Sequence, residues 1–136
     1  MRIDKYTQKM QEALQAAQDL ASQANHPEVT NEHFLSALLD QGEGITRPLL
    51  EKIGANVDQL RERLRSELER RPKIHGAAAD LRLSNELRSV LDNAEKEMSR
   101  LKDEFTSAEH YLLALSAANV PAAKPAETPS RARVPG

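Results

Sequence analysis

The sequence predicts an all-α, pseudo-duplicated helical repeat domain, and three observations lead there. Residues Thr7 to Leu38 recur without a gap as Ser84 to Leu115, at a constant displacement of 77 positions. Identical pairs include Leu14 with Leu91, Ala17 with Ala94, Glu32 with Glu109, His33 with His110 and Leu38 with Leu115. Conservative pairs include Thr7 with Ser84, Met10 with Leu87, Thr30 with Ser107 and Phe34 with Tyr111. A unit repeated in this way buries its apolar face against its own copy, so the two halves are expected to share one interior. Second, apolar residues return every three or four positions in both copies, behind a Ser or Thr able to cap a helix. Third, 29% of the 136 residues are charged and 3% aromatic, a mixture suited to exposed helices.

Thr7 caps a first helix with Met10, Ala13, Leu14, Ala17, Leu20, Ala21 and Ala24 on one side, stopped by Asn25-His26-Pro27. Thr30 caps the second, where Glu32 sits favourably against the helix dipole and Phe34, Leu35, Leu38 and Leu39 form a buried stripe. The glycines of Gln41-Gly42-Glu43-Gly44 mark a loop. Thr46 and Pro48 open a short third helix ending before Gly54, with Leu49, Leu50 and Ile53 expected inward. A fourth helix from Asn56 shows Val57, Leu60, Leu64 and Leu68 along one side. From Arg71 to Leu83 the periodicity breaks, which makes this stretch the connector between copies. Ser84 caps the fifth helix, with Leu87, Val90, Leu91, Ala94, Met98 and Leu101 on its apolar face. After the turn Asp103-Glu104-Phe105-Thr106, Ser107 caps the sixth, where Tyr111, Leu112 and Leu115 repeat the second helix.

The expected domain therefore spans 1–118, with repeat one at about 1–70, the connector at 71–83 and repeat two at 84–118. Residues 119–136, crowded with Pro121, Pro125, Pro129 and Pro135, read as a disordered tail, so the second repeat looks truncated.

A formal net charge of −2 supplies no overall field toward nucleic acid or an anionic membrane. The absence of cysteine excludes disulfides, thiolate metal sites and a cysteine nucleophile. The N-terminus has no apolar leader and no run approaches a membrane span, so a soluble, cytoplasmic protein is expected. The one basic cluster, Arg61, Arg63, Arg65, Arg70, Arg71 and Lys73, is interrupted by Glu62, Glu67 and Glu69. The i, i+4 spacing of Arg63–Glu67 and Glu67–Arg71 makes it a solvated ion-pair face.

The opening Met1-Arg2-Ile3-Asp4-Lys5-Tyr6-Thr7, the element Thr30-Asn31-Glu32-His33-Phe34-Leu35 and its echo Ser107-Ala108-Glu109-His110-Tyr111-Leu112 resemble the Clp N-terminal repeat domain, in particular that of ClpB-type disaggregases. The resemblance implies an all-α pseudo-duplicate preceding ATPase modules in a homohexameric remodelling machine, where it captures unfolded or aggregated polypeptide. Docking of a folded adaptor protein is the alternative. It implies no cofactor and no metal, and no nucleic-acid or membrane partner. No Gly-x-x-x-x-Gly-Lys-Ser/Thr stretch is present in this chain, so no enzyme activity is expected of it. The resemblance further points to Thr7, Leu91, Asp103, Glu109 and His110 as substrate-binding residues beside a shallow apolar groove. Residue type alone gives Thr7 as a plain N-cap, Asp103 as a turn residue and Glu109 as a first-turn acid. His33 and His110 could act as a metal pair only if the copies brought them together; each helix supplies a single His, which favours a packing or hydrogen-bonding imidazole.

Overall fold

The computed structural model describes residues 2–74 and 81–118. The expected tail at 119–136 and the middle of the connector lie outside the described residues. So do the positions, from 123 onward, at which the second copy would repeat the third helix.

After a 3-10 turn at Ile3–Lys5 come α1 (Gln8–Gln23), β1 (Glu28–Val29), α2 (Asn31–Leu39), α3 (Thr46–Lys52), α4 (Val57–Arg70), β2 (Arg82–Leu83), α5 (Asn85–Arg100) and α6 (Ala108–Ala117). Each cap falls where the sequence puts it. Thr7 Oγ1 accepts from the Met10 N–H and Ser84 Oγ from the Leu87 N–H, satisfying one first-turn donor in each helix. The ends match as well: Asn25 (φ 60°) and its equivalent Lys102 (φ 62°) turn the chain through the left-handed region. The following N–H groups of His26 and Asp103 reach back to the carbonyls of Ala21 and Met98. Gly54, at φ 89°, ends α3 in the same manner.

The two copies are cross-tied, which periodicity did not foretell. β1 pairs in parallel with β2, Val29 opposite Leu83, and the equivalent segments form a second parallel bridge, Tyr6 opposite Thr106. The hydrogen bonds repeat accordingly: Thr7 N–H donates to the Thr106 carbonyl at 3.0 Å, and Ser84 N–H to the Val29 carbonyl at 2.9 Å. The segment leading into each copy's first helix is thus fastened to the segment leading into the other copy's second helix.

Inside, α1 packs on α2 and α5 on α6, while α3 and α4 cover the remaining side of α2. Near the pseudo-twofold axis the equivalent rings of Phe34 and Tyr111 meet edge to face, their centroids 4.6 Å apart, an arrangement that adds about 1 kcal/mol beyond area burial. Tyr111 Oη donates to Asn31 Oδ1 at 2.7 Å. Burial and the Glu32 charge hold the Tyr111 phenol well above its ordinary range. Met10, Ala13, Leu14, Ala17, Leu87, Val90, Leu91 and Ala94 are buried as expected.

Three expectations fail. Ile53 is 78% exposed, because it lies past the last residue of α3 as the chain turns into Gly54. Leu101, likewise just beyond α5, is exposed. In the basic cluster, Arg71 pairs with the buried Glu32 at 2.8 Å in place of Glu67, which Arg70 takes, and Arg65 bridges Glu62 and Glu69.

Candidate functional site

Each copy builds the same device at the start of its second helix. Thr30 N–H donates to His33 Nδ1 at 2.9 Å, and Ser107 N–H to His110 Nδ1 at 2.9 Å. An Nδ1 that accepts is unprotonated, so the neutral ring carries its proton on Nε2. His33 Nε2 then faces His26 Nδ1 at 2.8 Å, whereas His110 Nε2 donates to Asp103 Oδ2 at 2.7 Å. His26 and Asp103 occupy equivalent positions, one residue after the left-handed turn. One copy therefore closes the device with a second imidazole and the other with a carboxylate.

That difference sets the electrostatics. His33 is wholly buried, and desolvation, with the charges of His26 and Arg71 acting the same way, lowers its pKa to about 4. His26, 3% exposed, is lowered by burial and by Arg71 and Lys73, and its Nε2 lacks a hydrogen-bond partner. The two imidazoles named as a metal pair do not meet, since His33 is engaged with His26 and His110 with Asp103.

The five residues singled out from sequence separate into buried supports and exposed rims. Leu91 is fully buried and His110 is 2% exposed, so neither offers surface to a ligand. Leu91 forms core beneath α5, and His110 pins Asp103 from below. Thr7 is half-buried with its hydroxyl occupied by the cap. Asp103 and Glu109 are both exposed, but they line different clefts.

The first cleft, about 600 Å³, lies between the N-terminal segment and the α5–α6 turn, lined by Arg2, Lys5, Glu95, Met98, Asp103 and Phe105. Glu95 Oε2 accepts from both Tyr6 Oη and the Arg2 N–H at 3.1 Å, so its carboxylate is held in place. Phe105 is 48% exposed beside it. The result is an open furrow with an aromatic face and two immobilised carboxylates. A smaller cleft of about 410 Å³ lies between α3 and α6, lined mostly by leucines, with Glu109 at its edge.

Sequence reasoning missed His26, Glu95 and Phe105 as site components. His26 could have been found by extending the repeat backwards, where it falls on Asp103. Glu95 and Phe105 carried no signal, because their roles come from contacts made across the pseudo-axis.

The family described as the Clp repeat N-terminal domain matches residues 5–126. The chain is 40% identical over 114 residues to the chaperone protein ClpB of Pseudomonas putida and 41% identical over 115 residues to that of Rhodopirellula baltica. These matches take in 84% and 85% of the chain but 13% of each relative. Among solved structures, a ClpV N-domain in complex with a VipB peptide superposes at TM-score 0.72 with 28% identity, over 86% of this chain and 71% of that one. The Hsp104 N-terminal domain from Candida albicans superposes at TM-score 0.75 with 22% identity, over 83% and 74%, a likeness of fold.

Proposed function

The chain belongs to the Clp repeat N-terminal domain family, and from that membership we propose that it is the non-catalytic substrate-capturing domain of a ClpB-type disaggregase. Its ligands are segments of unfolded or aggregated polypeptide. In this reading the parent machine is a cytoplasmic homohexamer whose ATPase modules lie elsewhere.

The observation that carries the reading is the furrow beside Asp103. An extended segment lays an apolar side chain against Phe105 and Met98, while Asp103 and Glu95 accept from its N–H groups or basic side chains. Because His110 and Tyr6 already hold these carboxylates, little side-chain entropy is lost on binding. The contact area is small, so capture is weak and reversible, as hand-over to a motor requires. Docking of a folded adaptor is the second reading, and the leucine-lined cleft at α3–α6 favours it.

Fluorescence anisotropy of a labelled, permanently unfolded polypeptide tests the capture reading. Phe105→Ser and Asp103→Asn should each weaken binding roughly threefold to tenfold, with helicity and melting temperature unchanged, since Asn keeps an acceptor for His110. Equal binding by wild type and both variants would refute it.

A further inference from the structure

Shifting the Asp103 furrow by the 77-residue repeat leads to its counterpart at the other end of α5. This second opening, about 550 Å³, is lined by Gln18, Val29, Arg82, Leu83, Arg88 and Asp92. Gln18 is the equivalent of Glu95, Arg82 of Lys5 and Leu83 of Tyr6. The balance of charge has changed sign between the two. Glu95, Asp103 and Glu104 outnumber Arg2 and Lys5 around the first, whereas Arg82 and Arg88 outnumber Asp92 around the second. Both arginines are exposed, and among the described residues neither forms an ion pair. Glu28, opposite Arg82 in the β1–β2 register, does not line the opening. A shallow depression on α5 joins the two, sharing Asp92 with the second opening and Glu95 and Ser99 with the first. Arg88, Asp92, Glu95 and Ser99 follow one another at helical spacing, so one side of α5 is the floor of a continuous track.

We propose that the Arg88 opening is a second subsite for the polypeptide segment held at the Asp103 furrow, and that it takes an acidic side chain of that segment. The inference rests on capture at the Asp103 furrow. A guanidinium is a fork that receives a carboxylate through two N–H groups, and half-buried Leu81 and Leu83 give the adjoining part of the segment an apolar wall. Arg88 and Ser99 stand eleven residues apart on α5, about 16 Å at 1.5 Å per residue. About five extended residues cover that span, so the preferred segment carries a basic and an acidic group about five to seven positions apart. A segment with a single kind of charge meets like charge at one end, and the track therefore selects by charge pattern as well as by apolar contact.

The test uses the full 136-residue chain and extended peptides of equal length, one with a lysine and a glutamate six positions apart, made in both orders, and one with lysine at both positions. In anisotropy the better of the two mixed peptides should bind wild type about fivefold more tightly than the doubly basic one. Arg88→Glu should reverse that preference with helicity and melting temperature unchanged, while Asp103→Asn should weaken every peptide. Nitrogen-15 shifts with the better mixed peptide are expected at Arg88 and Asp92 as well as at Asp103. Equal affinities for wild type, or a preference that survives Arg88→Glu, would overturn the second subsite and leave capture at Asp103 standing. Binding that responds to neither substitution would overturn both. Tighter binding after residues 75–80 are replaced by a glycine-serine linker would make the connector the natural occupant and would also overturn the proposal.

Discussion

Acidifying the protein from pH 7 to 4.5 should cost it stability through the buried His26–His33 pair, and replacing His26 by Asp should remove that cost. His33 is held at about 4 against an ordinary 6.5, chiefly by desolvation. Between those values the unfolded chain binds the proton more readily than the folded one, so stability rises with pH across the window. The contribution is complete above about 6.5 and is lost as pH falls toward 4; with each pKa unit worth about 1.4 kcal/mol, the loss by pH 4.5 is about 2 to 3 kcal/mol. His26, lowered by burial and by Arg71 and Lys73, acts in the same direction. Asp in its place reproduces the arrangement that His110 has with Asp103. A carboxylate beside His33 favours the charged ring and opposes the desolvation, which removes its contribution in the same window. Urea unfolding at pH 7 and 4.5, followed by circular dichroism, gives the difference for each chain, and carboxylates common to both cancel. The His33 Cε1–H resonance reports the titration directly. An equal pH dependence in wild type and His26→Asp would refute the reasoning.

Three further changes probe the packing. Arg71→Ala leaves the Glu32 carboxylate buried without its cation and should cost roughly 2 kcal/mol, discounted because the arginine is one-third exposed; Glu32→Gln in the same chain should restore part of it in urea unfolding. Tyr111→Phe strands Asn31 Oδ1 in the interior and should cost about 1 to 2 kcal/mol, read from the shift in denaturation midpoint. Gly54→Ala meets no neighbouring atom but must adopt φ 89°, so a loss of about 1 kcal/mol measured by thermal melting would come from backbone strain alone.

The helices were legible because their signals are local. A cap such as Thr7 or Ser84, a stripe such as Met10-Leu14-Ala17, and a stop such as Asn25 all act within one or two turns, and the repeat doubled each signal. What faces what was not legible. Periodicity puts Leu91 and Ile53 alike on an apolar side, yet a helix covers the first and, among the described residues, none covers the second. The same limit applied to the site: Asp103 and Glu109 sit six positions apart, but the first lies in the α5–α6 turn and lines the furrow, whereas the second lies on α6 and lines the α3 cleft. The two-residue strands are too short to show any alternation, so the cross-ties emerged only from the assembled backbone.

Those cross-ties bear on what half of this molecule could do by itself. A polypeptide with one copy would keep its caps and stripes yet leave the Thr7 amide and the Val29 carbonyl without mates, and would bare the ring of Phe34. It could settle those debts only by meeting a twin across a twofold axis, at a rate set by how much of it was present. Tethering both halves in series swaps that chance encounter for a local concentration in the millimolar range. The architecture is that of a symmetric pair made permanent by a linker, which leaves the two second helices free to diverge in what they touch.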